Sequence, residues 1–213
     1  MAQASDTPTP SCAAPVRLLV VPGLHDSGPA HWQTWLQRAQ RGAVRVEQRD
    51  WGEPHLQRWA ARIDSTLERA GPGRWVAVAH SFGVLALVAH LAQRPDSPVG
   101  AVLLVAPADP AKFGLAEQLP QTELGRPSTL VASLSDPWMR LSEAQRWAAR
   151  WGSAVVNLGD AGHINAEAGF GPLPLARQWV LAASGRLALR AAGPSQTTMG
   201  VIAPSTVSTA ALT

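Results

Sequence analysis

Apolar residues in this chain fall into two kinds of run. Short, nearly continuous ones, rich in Val and Leu, occupy 16–23, 43–48, 74–81, 100–107, 129–136 and 154–160, and most end in Gly, Pro, Asp or Ser. Continuous rather than alternating apolar character suits strands covered on both faces, so these runs predict a mostly parallel sheet of about six strands. Longer amphipathic runs lie between them, at 31–39, 54–70, 82–93, 137–151 and 174–183, and predict helices. Pro54 and Pro137 fit a first helical turn, where no N–H donor is needed, and Gly71 fits a helix end. Strand and helix in near-regular alternation imply an α/β protein of three layers, with helices on both faces reached by right-handed crossovers.

The two ends break this pattern. Residues 1–15 are small, polar and rich in Pro, and residues 188–213 turn to Ala, Ser, Thr, Gly and Pro without periodicity. Neither buries enough apolar surface to offset chain entropy, so a disordered arm, a folded domain over 16–187 and a disordered tail are expected. At 213 residues and 46% apolar, the chain suits one domain with a sizeable core. The net charge is only +3, and its arginines are scattered along predicted helices, so no nucleic-acid partner is expected. Cys12 is the one cysteine, which rules out an internal disulfide and fits a reducing cytoplasm. No run approaches the roughly 18 apolar residues of a membrane span, and no secretory leader is read at the start.

In parallel sheets, reactive residues collect just past the carboxyl ends of strands. The third run ends in Ala79-His80-Ser81-Phe82-Gly83 and passes directly into an apolar helix. This resembles a nucleophile elbow, in which a sharp turn lifts the serine hydroxyl clear of the sheet, and small residues two before and two after relieve crowding. Ala79 stands where Gly is usual. Ser81 as an ordinary helix N-cap is the competing interpretation.

A serine hydroxyl needs a base to take its proton, and the base needs a third group to orient it. Asp136 follows the fifth run and His163 follows the sixth, giving the order Ser81, Asp136, His163, which is that of α/β-hydrolases. Asp109 and Asp160 are rival acids, less favoured by strand position. The turn after the first run, 22–29, can offer a backbone N–H from Leu24, or failing that His25, to an oxyanion, with the N–H of Phe82 as second donor. His25, Trp32 and Trp138 are expected near a substrate pocket, His80 is expected to pack or bond locally, and no histidine spacing suggests a metal.

Four segments, VPGLHDSGPAHWQTWLQ, VAHSFG, SLSDPWM and GDAGHIN, occur in this order. Together they resemble the small serine hydrolases of the retinoblastoma-binding-protein and YdeN-like family within the α/β-hydrolases. The resemblance implies Ser81, Asp136 and His163 as the triad, an α/β-hydrolase-like sandwich, and a hydrolase that needs no cofactor. The interval 108–127 is too short for a large cap. An open cleft for a small acyl substrate, an ester or chain-end amide, is therefore expected. A binding or scaffold protein that keeps the fold without turnover is the alternative.

Overall fold

Along the first strand, β1 (Val16–Val21), Leu19 and Val21 join one buried cluster while Leu18 and Val20 join another. This is the period of two that a strand imposes, with both of its faces covered. A computed structural model describes residues 15–192. Six strands form one sheet in the order β2-β1-β3-β4-β5-β6, with every neighbouring pair parallel. The others are β2 (Val44–Arg45), β3 (Arg74–Ser81), β4 (Val99–Pro107), β5 (Ser128–Ala132) and β6 (Ala154–Asn157).

Helices α1 (Trp32–Ala39) and α5 (Pro174–Ala192) cover one face, with Trp32, Leu36, Ala176 and Val180 in its core. Helices α2 (Leu56–Ala70), α3 (Phe82–Gln93) and α4 (Leu141–Trp151) cover the other. α3 is buried from Phe82 to Leu91, which explains why it is apolar all round rather than amphipathic.

Several boundaries differ from expectation for local reasons. α4 starts at Leu141, not at Pro137, because the Asp136 carboxylate accepts the Trp138 N–H at 2.9 Å and folds 136–138 into a turn. α2 starts after Pro54, with His55 as its cap. α5 runs past 187 to Ala192, so the helix overruns the expected domain limit. Leu187 packs into the space left by Gly100, where an added Cβ would lie 2.7 Å from the leucine Cδ2. The expected arm, apart from Pro15, and the tail beyond Ala192 lie outside the described residues.

Between β4 and β5 the chain makes two short 3-10 turns, Pro110–Phe113 and Ala116–Gln118, and no cap domain is inserted there. No helix among the described residues is long and apolar enough to cross a membrane.

Candidate active site

From β1 the chain moves outward to β2, then returns across β1 to β3. The crevice beyond the carboxyl ends of β1 and β3 is therefore the switch point of this sheet, where open α/β folds bind ligands. Ser81 closes β3 there with φ 53° and ψ −126°, a conformation rare for a residue with a side chain. Its hydroxyl makes no capping bond to α3, so the N-cap interpretation does not account for it.

Close backbone approach explains the small residues around the turn. A Cβ on Gly83 would lie 2.2 Å from the Pro22 carbonyl oxygen and 2.7 Å from that of Val21. A Cβ on Gly23 would lie 2.7 Å from the Cβ of Ser81. Ala79 is fully buried against the α2–α3 core, which has room for its methyl group.

His163 reaches Ser81 from the loop after β6: its Nε2 is 2.9 Å from the serine Oγ. Its Nδ1 lies 2.9 and 3.0 Å from the two carboxylate oxygens of Asp136, whose side chain is only 3% exposed. An ionised carboxylate only accepts, so Nδ1 carries the proton and the Nε2 lone pair faces the serine hydroxyl. The rival acids are elsewhere. Asp109 accepts the Ala111 N–H and caps a 3-10 turn, and Asp160 is exposed. Two serines just before Asp136, which no sequence signal singles out, tie its loop to the loop of His163. Ser133 Oγ accepts the Ala161 N–H and Ser135 Oγ the Gly162 N–H, each at 3.0 Å.

After β1, His25 and Asp26 take left-handed conformations, φ 64° and 63°, and shape the turn. The His25 N–H donates to the Trp51 carbonyl at 2.9 Å, whereas the Leu24 N–H has no backbone partner among the described residues. The Phe82 N–H opens α3, where helix amides lack intrahelical acceptors. Leu24 follows β1 and Phe82 follows β3, at the same end of the sheet as Ser81. Arg45 braces the loop, donating to Asp26 Oδ1 at 2.6 Å, Thr34 Oγ1 at 2.7 Å and Gln37 Oε1 at 2.8 Å. Gln33, fully buried, accepts from the Ser27 hydroxyl and donates to the Val21 and Val78 carbonyls.

A cleft of about 380 Å³ opens over Ser81 and His163. His25 and Trp138 line it, joined by Phe113, which nothing in the sequence singles out. Trp32 does not line it. Its ring is fully buried and its Nε1–H donates to the Ile164 carbonyl at 2.9 Å, so it supports the loop after β6 from behind. Clefts of about 630 and 560 Å³ open along β2 and beside α2, but neither reaches Ser81 or His163, so chemistry rather than volume identifies the site.

Two further histidines pack behind His163. His31 is pushed down to about 4, chiefly by burial and then by Arg45, and His80 is pushed well below its ordinary range by burial and by its histidine neighbours. Both are neutral near pH 7.

Comparison with known proteins identifies the family. The family model described as serine hydrolase matches residues 18–182. A protein described as a YdeN-like hydrolase, from Pectobacterium atrosepticum, is 36% identical over 81% of this chain and 92% of its own, with a TM-score of 0.76. The ydeN gene product of Bacillus subtilis is 19% identical over 79% of this chain and 98% of its own, with a TM-score of 0.65. Est1E from Butyrivibrio proteoclasticus, 13% identical over 85% of this chain and 90% of its own, superposes with a TM-score of 0.58. The last two show the fold alone. No curated protein matches the sequence. The chain therefore belongs to the serine hydrolase family, as a small YdeN-like member with the α/β-hydrolase fold.

Proposed function

We propose that the protein cleaves an ester or related acyl bond by a Ser-His-Asp mechanism, and the observation that carries this is the Ser81–His163–Asp136 hydrogen-bonded line. His163 Nε2 takes the proton from the Ser81 hydroxyl as Oγ bonds to the acyl carbon. The carbonyl π electrons move to oxygen, where the Leu24 and Phe82 N–H groups stabilise the negative charge. When the bond to the leaving group breaks, His163 returns the proton to that group, leaving an acyl-serine. Water, deprotonated by the same nitrogen, then attacks the acyl carbon; the bond to Oγ breaks, the imidazolium returns its proton to Oγ, and the acid and Ser81 are freed. Asp136 holds the imidazole tautomer and stabilises the imidazolium. Every step uses groups of the chain, the substrate and water.

The roughly 380 Å³ cleft, with Phe113 and the half-exposed Trp138 among its lining, suits a short acyl chain rather than a long lipid tail. A small-molecule acyl ester is the substrate class we assign, with a chain-end amide as its close variant. The lone cysteine, Cys12, supports a cytoplasmic setting.

Turnover of p-nitrophenyl esters from acetate to dodecanoate tests this proposal. The expected result is a preference for short chains, and a loss on the order of 10⁶ in kcat for Ser81→Ala. A fall of only a few-fold in that variant would sink the mechanism, and a preference for dodecanoate would sink the substrate class.

A further inference from the structure

His80 is a buried residue that the acyl transfer above does not use, and it immediately precedes the nucleophile. Its Nε2 lies 2.9 Å from the backbone carbonyl oxygen of His163. A carbonyl only accepts, so the ring carries a proton on Nε2 and donates it. The next carbonyl along the loop, that of Ile164, accepts the Nε1–H of Trp32 at 2.9 Å. Two successive carbonyls of the base loop are therefore held by ring N–H donors from two other elements, β3 and the start of α1. The rings brace each other: Trp32 and His80 meet edge to face with centroids 6.1 Å apart, and His31 meets His80 the same way at 4.8 Å.

The loop has reason to need holding. Ile164 takes φ 47°, a left-handed conformation that a β-branched side chain resists. His163 is 8% exposed and Ile164 fully buried, so a lost donor leaves a buried carbonyl unpaired, and movement of the loop relieves it. The opposite side of the loop is already fixed, because Ser133 and Ser135 hold the amides of Ala161 and Gly162.

We propose that His80 and Trp32 are positioning residues that clamp the loop after β6 by its His163 and Ile164 carbonyls and thereby set the reach of the His163 ring to Ser81. The catalytic half of this rests on the reading of His163 as base. The clamp itself does not, and it is measurable without turnover.

The test compares His80→Leu, His80→Gln and Trp32→Phe in the full chain. Leu removes the donor, Gln returns an N–H at similar reach, and Phe keeps most of the ring while removing the indole N–H. Amide hydrogen exchange is read at Ile164, whose N–H bonds the Ala161 carbonyl, and in β4 as an internal reference, beside kcat and KM on p-nitrophenyl acetate. His80→Leu and Trp32→Phe are expected to speed exchange at Ile164 about tenfold or more with β4 unchanged. They are expected to lower kcat on the order of 10- to 100-fold with KM within about threefold, as slight misplacement of a base does. His80→Gln recovers most of both.

Unchanged loop exchange in His80→Leu overturns the clamp. So does an equal loss in His80→Gln, or acceleration in β4 matching that in the loop, which would mark a plain packing defect. Failure of the acyl-transfer reading shows separately, as wild-type turnover by Ser81→Ala, while loop exchange still decides the clamp.

Discussion

Ser81 and His163 are 82 residues apart in sequence, yet the serine Oγ and the imidazole Nε2 are 2.9 Å apart. One sits on the central strand β3 and the other follows the edge strand β6, so the base loop must reach back over β5 and β4 to meet its partner. Nothing local enforces that distance. It depends on the hydroxyls of Ser133 and Ser135, the carboxylate of Asp136 and the ring donors of His80 and Trp32, all binding one short loop.

Asp136→Asn keeps the shape of the side chain and removes its charge. The amide can present its N–H group to Nδ1, which turns the imidazole to the wrong tautomer for accepting a serine proton. The expected result is a loss on the order of 10⁴ in kcat with little change in KM. Steady-state kinetics on a short ester checks this, and a loss below tenfold would remove Asp136 from the mechanism.

The elbow makes a steric prediction. Gly83→Ala places a methyl group 2.2 Å from the Pro22 carbonyl oxygen, a backbone atom that cannot step aside. This variant is expected to lose about 3 kcal/mol or more in urea denaturation, together with its activity. Gly23→Ala, whose methyl group would meet the Cβ of Ser81 at 2.7 Å, is expected to reduce kcat more than it reduces stability. Wild-type stability in Gly83→Ala would mean that the approach of β1 and α3 is looser than described.

Much of this architecture is legible in the chain because its strongest signals are local. The run 74–81 reads as a buried strand and folds as one, since continuous apolar character and the small residues of the elbow act over a few neighbours. Ser81, Asp136 and His163 stand at or just past the ends of the runs that fold as β3, β5 and β6. α4 starts later than Pro137 suggests because the Asp136 carboxylate draws 136–138 into a turn. Trp32 does not line the cleft, because sequence distance from the Gly-rich turn says nothing of where a ring points. It projects into the core and toward Ile164. Gln33, Arg45 and Phe113 left no signal: their partners lie across loops that only the assembled fold brings together.

Arg45 offers a test of the loop after β1. Its guanidinium binds Asp26, Thr34 and Gln37 at once, a fork that a lysine ammonium does not reproduce. Arg45→Lys is expected to lower kcat about 10- to 100-fold, though the charge is kept, because Leu24 loses its fixed position. Full activity in Arg45→Lys would show that the loop is held by Gln33 and its own backbone.

The buried histidines predict acid sensitivity. His90, bonded to Ser97 Oγ at 3.0 Å on the side of α3 away from the site, is held at about 4 by burial, against an ordinary 6.5. Below pH 6.5 the unfolded chain takes up a proton that the folded chain refuses, so stability is full above that pH and falls as pH drops toward 4. The slope for one such group is about 1.4 kcal/mol per pH unit. Urea denaturation at pH 7, 6 and 5 is expected to show a shallower decline for His90→Gln than for wild type, with activity at pH 7 unaffected. Parallel declines would contradict the assignment.

Labelling with a fluorophosphonate, read by intact mass and peptide mapping, reports directly on Ser81, because only a serine activated by its base reacts. One adduct is expected, on Ser81, formed by the wild-type chain and absent from both Ser81→Ala and His163→Ala. A folded wild-type protein that forms no adduct, or one labelled equally in His163→Ala, would contradict the proposed mechanism and favour a hydrolase fold kept for binding.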